Sequence, residues 1–139
     1  MLIISHRGNV SGINEELENN PEHIKTLLQD KIEVEIDVWL VDKLLLLGHD
    51  KPQYIINQEF LQQNGLWCHA KNLDALHYML KNNIKNYFWH QEDDFTLTSS
   101  GYIWTFPNKQ VTNESIIVDF SQNWKDKNYS CYGVCVDYL

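Results

Sequence analysis

Apolar runs recur along this 139-residue chain at two spacings, and the change between them limits the folds open to it. As far as Leu80 the runs lie far enough apart for helices to fit between them, except on either side of Asp42-Lys43; from Tyr87 onward they crowd together. The first run, Leu2-Ile3-Ile4, is short and continuous and stops at His6-Arg7-Gly8, so it reads as a buried strand that delivers functional residues at its C-terminal end. An Asn-rich loop over residues 9–20 leads to Pro21, which suits the first turn of a helix to about residue 29, with Ile24, Leu27 and Leu28 on one face. Residues 33–40 alternate strictly, Val34, Ile36 and Val38 facing one way and Glu33, Glu35, Asp37 and Trp39 the other, which is the clearest strand in the chain.

Asp42-Lys43 reads as a tight turn into a strand over residues 44–47. A short helix at 58–63 stops at Asn64-Gly65, a strand covers 66–70, and Leu73, Leu76, Met79 and Leu80 mark a further helix. After Asn82-Asn83 the pattern predicts strands near 87–89, 102–105, 115–118 and 132–136 with almost no room for helices between them. That order predicts an α/β chain built on a parallel sheet or barrel. A full eight-fold barrel needs about 250 residues, so the expectation is a shrunken or incomplete (β/α) TIM-like barrel. It forms one domain over residues 1–139, with few helices in its second half, and a second copy in a homodimer would cover its bare side.

With 11 Lys and Arg against 19 Asp and Glu, the net charge of -8 argues against a nucleic-acid partner, because backbone binding needs clustered cations that are absent here. Arg7 and Lys71 remain suited to gripping a single phosphate. No run approaches a membrane span, and the N-terminal run is too short for a secretory leader. Cys68, Cys131 and Cys135 are odd in number and scattered, which fits a reducing cytoplasm better than a disulfide framework.

Glu35 and Asp37, two apart on one strand, project to the same side and can share a hard cation. His6, His49 (in Gly48-His49-Asp50) and His69 sit at or just after strand ends, where a parallel α/β barrel builds its active site. Trp39 shares the carboxylate face and is a candidate to line a substrate pocket, whereas Trp67, Trp89 and Trp104 suit interior packing. Glu92 or Asp93, following another apolar strand, is a candidate for a further carboxylate, although an acidic turn is the commoner explanation of such a pair, and Asp137 is a candidate near the chain end.

The ordered series His6-Arg7-Gly8, Glu35-x-Asp37, His49-Asp50, His69-Ala70-Lys71 and the closing Asp137-Tyr138 resembles the PLC-like phosphodiesterase superfamily of TIM barrels. That superfamily contains the glycerophosphodiester phosphodiesterases and the sphingomyelinase-D-like phospholipases. The resemblance implies His6 and His49 as the general base and acid, Arg7 on a phosphate oxygen, Glu35 and Asp37 on the cation, and Lys71 against the charge of the transition state. His69 stands where these relatives carry an acidic metal ligand, so it would complete the ligand set as a softer donor. The segment Glu18-Asn19-Asn20-Pro21-Glu22 is a scrambled echo of a Pro-Glu-Asn motif of glycerophosphodiesterases. The implied cofactor is a divalent cation, Mg2+ first, with Mn2+, Ca2+ or Zn2+ as alternatives.

The implied substrate is a small-molecule or lipid-headgroup phosphodiester, glycerol- or sugar-linked, attacked by water or by a neighbouring substrate hydroxyl that leaves a cyclic phosphate. Two imidazoles suit such chemistry because their pKa lies near neutrality. Two other readings stand beside this one. A non-catalytic module of the same fold would bind a phosphate or sugar-phosphate, and a ribonuclease would use paired histidines and a lysine, against the acidic charge.

Overall fold

The alternation of residues 33–41 sets the frame for everything around it. In the computed structural model, which describes residues 1–139, this stretch is a long central strand, β2 (Glu33–Val41). One edge of β2 takes a parallel neighbour, β1 (Leu2–His6), and then, beyond the end of β1, the antiparallel strand β3 (Leu44–Leu47). The other edge takes β5 (Leu66–Ala70) in parallel, and β6 (Tyr87–Trp89) follows in parallel on β5. On the far side of β1 come β10 (Gly133–Val136), β9 (Ser115–Asp119) and β8 (Ile103–Thr105), all parallel, then β7 (Phe95–Leu97), antiparallel on β8. β4 (Tyr54–Ile56) finishes the opposite edge by pairing antiparallel with β3.

The expected α/β barrel, shrunken or incomplete, is therefore not what forms. The molecule is a curled, mixed, ten-stranded half-barrel with three short helices, α1 (Pro21–Gln29), α2 (Gln58–Leu61) and α3 (Leu73–Lys81). The physical reason lies in the connections. Residues 90–94, 98–102 and 106–114 join successive strands of the second half without a helix, and residues 120–132 hold only a single 3-10 turn at Trp124–Lys127. The β2–β3–β4 meander and β7 add antiparallel pairings that a (β/α) repeat lacks. β4, β7 and the 3-10 turn carry no apolar period of their own; three-residue strands exist because neighbours offer them a ladder.

Burial follows the two faces of the curl. Val34, Ile36 and Val38 pack outward with Cys68, Ala70 and the apolar sides of α1 and α3, through Ile24, Leu27, Ala75 and Met79. On the concave side Ile4, Trp67, Phe88, Trp104, Ile116, Val118 and Cys135 form a second cluster. Behind β9 and β10, Trp124 covers Ile117, Val134 and Val136 where a helix was not available. The helices start where capping predicts: the side chain of Asn20 accepts from the Glu22 and His23 N–H groups with Pro21 next in line, and Asn72 caps α3 through Ala75 N–H. No helix is long and apolar enough to cross a membrane.

Candidate active site

Seven of the strands run parallel, so their C-terminal ends meet at one rim of the curl. Register then decides which side chains face each other there. His6 is opposite Glu35, and Asp37 is opposite His69, all on the concave side. The face that looks polar in the sequence is thus an interior one, and Glu35 and Asp37 are only 2% and 1% exposed. Beneath them Phe88 stacks on Trp104 (4.5 Å between ring centroids) and His69 stacks on Phe88 (5.1 Å), an aromatic floor that shuts water out from below.

A cavity of about 240 Å3 opens above this floor, walled on one side by His6, Arg7, Glu35, His49, His69 and Lys71 and on the other by apolar residues including Trp104 and Phe120. A larger groove, about 570 Å3, lies between α1, β4 and α2 but carries no histidine and no buried carboxylate.

The carboxylates are held tightly yet incompletely. Asp37 Oδ2 accepts from Asn19 Nδ2 (2.9 Å), while the Asp37 N–H donates to Asn19 Oδ1 (2.9 Å). Arg7 Nε lies 3.4 Å from the same Oδ2, and Lys71 Nζ 3.8 Å from Oδ1. His69 Nδ1 stands 3.3 Å from Asp37 Oδ1 and 3.5 Å from Glu35 Oε1, charge contacts rather than well-formed hydrogen bonds. Asp37 Oδ1 and Glu35 Oε2 consequently remain buried without a hydrogen-bond donor, an arrangement that costs free energy unless something cationic arrives. One oxygen of each carboxylate and a nitrogen of His69 lie within 4.8 Å of one another, the donor set of a small cation site.

The charges shift one another's protonation. Burial works against ionisation of Asp37, but His69, Arg7 and Asn19 outweigh it and hold its carboxyl well below the usual carboxylate range. Burial likewise opposes a charge on His69, yet the two facing carboxylates raise it to about 9.

His6 is oriented by a partner far away in sequence. Its Nδ1–H donates to Asp137 Oδ1 (2.8 Å), which leaves Nε2 on the cavity side, 4.0 Å from Glu35 Oε2. Asp137 is itself anchored by Asn9 Nδ2 (2.8 Å), and the same amide group donates to Glu18 Oε1 (2.9 Å). Burial opposes ionisation of Asp137, but the bonds from His6 and Asn9 and the charge of Arg7 keep its carboxyl below the ordinary value. Arg7 and Asn19 both adopt positive φ (56° each), a backbone strain at the turn that aims them inward.

His49 lies at the cavity mouth with its side chain 37% exposed and Nδ1 2.8 Å from Asp50 Oδ1. Its turn depends on Gly48, because a Cβ there would meet the Lys51 carbonyl oxygen at 2.0 Å.

Six sequence-derived residues, His6, Arg7, Glu35, His49, His69 and Lys71, line the one cavity, and Asp37 lies buried in contact with Arg7, His69 and Lys71. Trp39 does not line it; its indole N–H donates to the Gly48 carbonyl (2.6 Å) and braces the His49 turn. Glu92 and Asp93 are exposed on the turn after β6, so neither supplies the extra carboxylate, whereas Asp137 does reach the site. Asn9 escapes sequence reasoning because an Asn-rich stretch looks like an ordinary loop, whereas Glu18 and Asn19 stand in the segment that echoes a Pro-Glu-Asn motif, an echo that gave neither of them a role. Comparison of the chain with protein-family models, curated proteins and solved structures found no match.

Proposed function

We propose that this chain is a divalent-cation-dependent phosphodiester hydrolase, resembling the glycerophosphodiesterases in its chemistry, that cleaves a small glycerol- or sugar-linked phosphodiester. The observation that carries the reading is the pair of donor-less buried oxygens, Glu35 Oε2 and Asp37 Oδ1, beside His69, Arg7 and Lys71. Glu35, Asp37 and His69 would hold the cation, which when bound supplies Lewis-acid polarisation of a phosphoryl oxygen. Carboxylates favour Mg2+, Mn2+ or Ca2+, and the imidazole nitrogen moves the preference toward Mn2+ or Zn2+.

Arg7 and Lys71 grip the non-bridging oxygens and offset the charge that grows on them. His6, with its tautomer set by Asp137, takes the proton of the attacking water or substrate hydroxyl at Nε2. His49, at the more open side, gives a proton to the departing alcohol. The cavity lies below the size range of drug-sized ligand sites, which suits a phosphate with a small alcohol on it. Three free thiols agree with the cytoplasm as its compartment.

A second reading has its own support: His69, Arg7 and Lys71 already bring three cationic groups within 4 Å of Asp37. A module of this kind would bind a phosphoester and leave it intact. Incubating the protein with bis-(p-nitrophenyl) phosphate and glycerophosphodiesters, with Mg2+, Mn2+, Ca2+ or Zn2+ and with chelator, separates the two. Turnover that chelation abolishes and metal restores is expected. No turnover by wild type across the panel overturns the enzyme, and tight phosphoester binding without product selects the module.

A further inference from the structure

His90 follows β6 immediately and takes no part in the chemistry above, yet it is 8% exposed and lines the same cavity. Two backbone carbonyls determine its state. His69 Nε2 lies 2.7 Å from the His90 carbonyl oxygen, and His90 Nε2 lies 2.6 Å from the Asp93 carbonyl oxygen. A carbonyl only accepts, so both Nε2 atoms carry hydrogen. For His69 the consequence is a Nδ1 turned to the carboxylates. For His90 it is a Nδ1 that, in the neutral ring, is an unprotonated acceptor with no hydrogen bond from the protein. The ring itself is clamped, edge-on to Phe106 at 5.9 Å and 6.4 Å from the His69 ring.

An acceptor held rigid in this way, in a wall it shares with cations, a carboxylate, apolar and aromatic residues and the exposed amide of Gln91, has one kind of ligand group to read, a hydrogen-bond donor on the substrate. We infer that His90 Nδ1 is a specificity determinant: it accepts a hydrogen bond from a hydroxyl of the phosphorylated alcohol, so the site selects a polyol phosphate over an alkyl phosphate of the same length. The inference rests on the phosphate-binding reading of the cavity, and it does not depend on turnover. Of the other polar side chains lining the cavity, His6, Arg7, Glu35, His49, His69 and Lys71 are assigned to the phosphate, the cation or the reacting protons, and Gln91 is exposed with no hydrogen bond to fix it, so His90 is the held acceptor left for the alcohol.

Calorimetric titration with glycerol phosphate and with n-propyl phosphate, in the presence of Mg2+, tests it. Wild type is expected to bind glycerol phosphate about tenfold more tightly, and His90→Gln to bind the two within about twofold with propyl phosphate affinity unchanged. Glutamine is the informative replacement because its side-chain amide N–H can still reach the Asp93 carbonyl while the Nδ1 acceptor is gone. His90→Asn, whose amide oxygen falls near the Nδ1 position, is expected to keep the preference that His90→Gln loses, and a preference lost in His90→Asn overturns the assignment even if His90→Gln fails to fold.

A preference that survives His90→Gln overturns the assignment, as does a wild type that binds both ligands equally or a variant whose only defect is weaker Mg2+ binding. Failure of wild type to bind either phosphate overturns this inference and the phosphate site together. An intact preference in a protein that hydrolyses no diester overturns the catalytic reading alone.

Discussion

Asp37 and Asp119 occupy comparable positions on opposite faces of the same sheet and have opposite fates. Asp119 ends β9 and Asp37 lies one residue before the end of the parallel pairing of β2 with β5, each is nearly fully buried (4% and 1% exposed), and each has its carboxyl held below the ordinary value. Asp119, on the outer face, is saturated: Ser121 donates through N–H and Oγ, Tyr129 donates its hydroxyl, and Lys127 lies at 2.6 Å. Asp37, on the concave face, keeps one oxygen without a donor, and so does its neighbour Glu35. The contrast teaches that burial and a depressed pKa do not by themselves mark a site. What separates a carboxylate that ties down a turn from one kept for a ligand is whether its acceptors are filled.

The largest expected effect breaks the comparison at the end proposed to be catalytic. His6→Ala is expected to lower kcat by about 10^2 to 10^4-fold and Asp137→Asn by about 10 to 100-fold. Asp119→Asn should leave kcat unchanged, steady-state kinetics on a glycerophosphodiester being the measurement. Equal losses from Asp137→Asn and Asp119→Asn would mean that the distinction between the two faces is illusory.

Stability should run the other way. Chemical denaturation is expected to show Asp119→Asn destabilised by about 1.5–3 kcal/mol, since it strips charge-assisted hydrogen bonds. Glu35→Gln should be destabilised less than Asp119→Asn in cation-free protein, because the attraction it loses to His69 is offset by removal of a buried carboxylate oxygen that has no donor. Saturating Mg2+ or Mn2+ should then raise the Tm of wild type but not of Glu35→Gln.

Two pH dependences sharpen the contrast further. The Asp119 carboxyl is depressed from 3.8 to about 2 by Ser121, Tyr129 and Lys127, against the opposing effect of burial. Its contribution is complete above its unfolded value and disappears as pH falls through about 2, so wild type should lose more stability than Asp119→Asn between about pH 4 and pH 2. His69 is raised from 6.5 to about 9, with burial opposing and the two carboxylates prevailing. Its contribution is full below about 6.5 and lost as pH rises through about 9, so cation-free wild type should weaken over that window more than His69→Gln does. Thermal melts across each window check both.

Much of the secondary structure was legible because it rests on local pattern. The period-two run of β2, the Pro21 and Asn64-Gly65 signals and the Asp42-Lys43 turn, where both residues take positive φ, all follow from short-range sterics and hydrogen bonding. The seven residues of the site were legible as motifs at strand ends. Their roles were less so: Trp39 braces a turn instead of meeting the cavity, and Glu92 and Asp93 point to solvent. Asn9 was hidden, and Asn19 visible only as part of a motif echo without a role, because an asparagine in a loop looks the same whether it bonds to its own backbone or reaches across to Asp137 and Asp37.

The sequence by itself determined which segments extend, which coil and which polar side chains share a strand face, since those depend on residues within a few positions of one another. It could not decide that the polar face of β2 turns inward, that the second half closes with strands instead of helices, or that residue 137 orients residue 6. Those outcomes depend on strand order, register and curl. They are properties of pairings between distant segments, and no local propensity encodes which oxygen, once buried, is left without a donor.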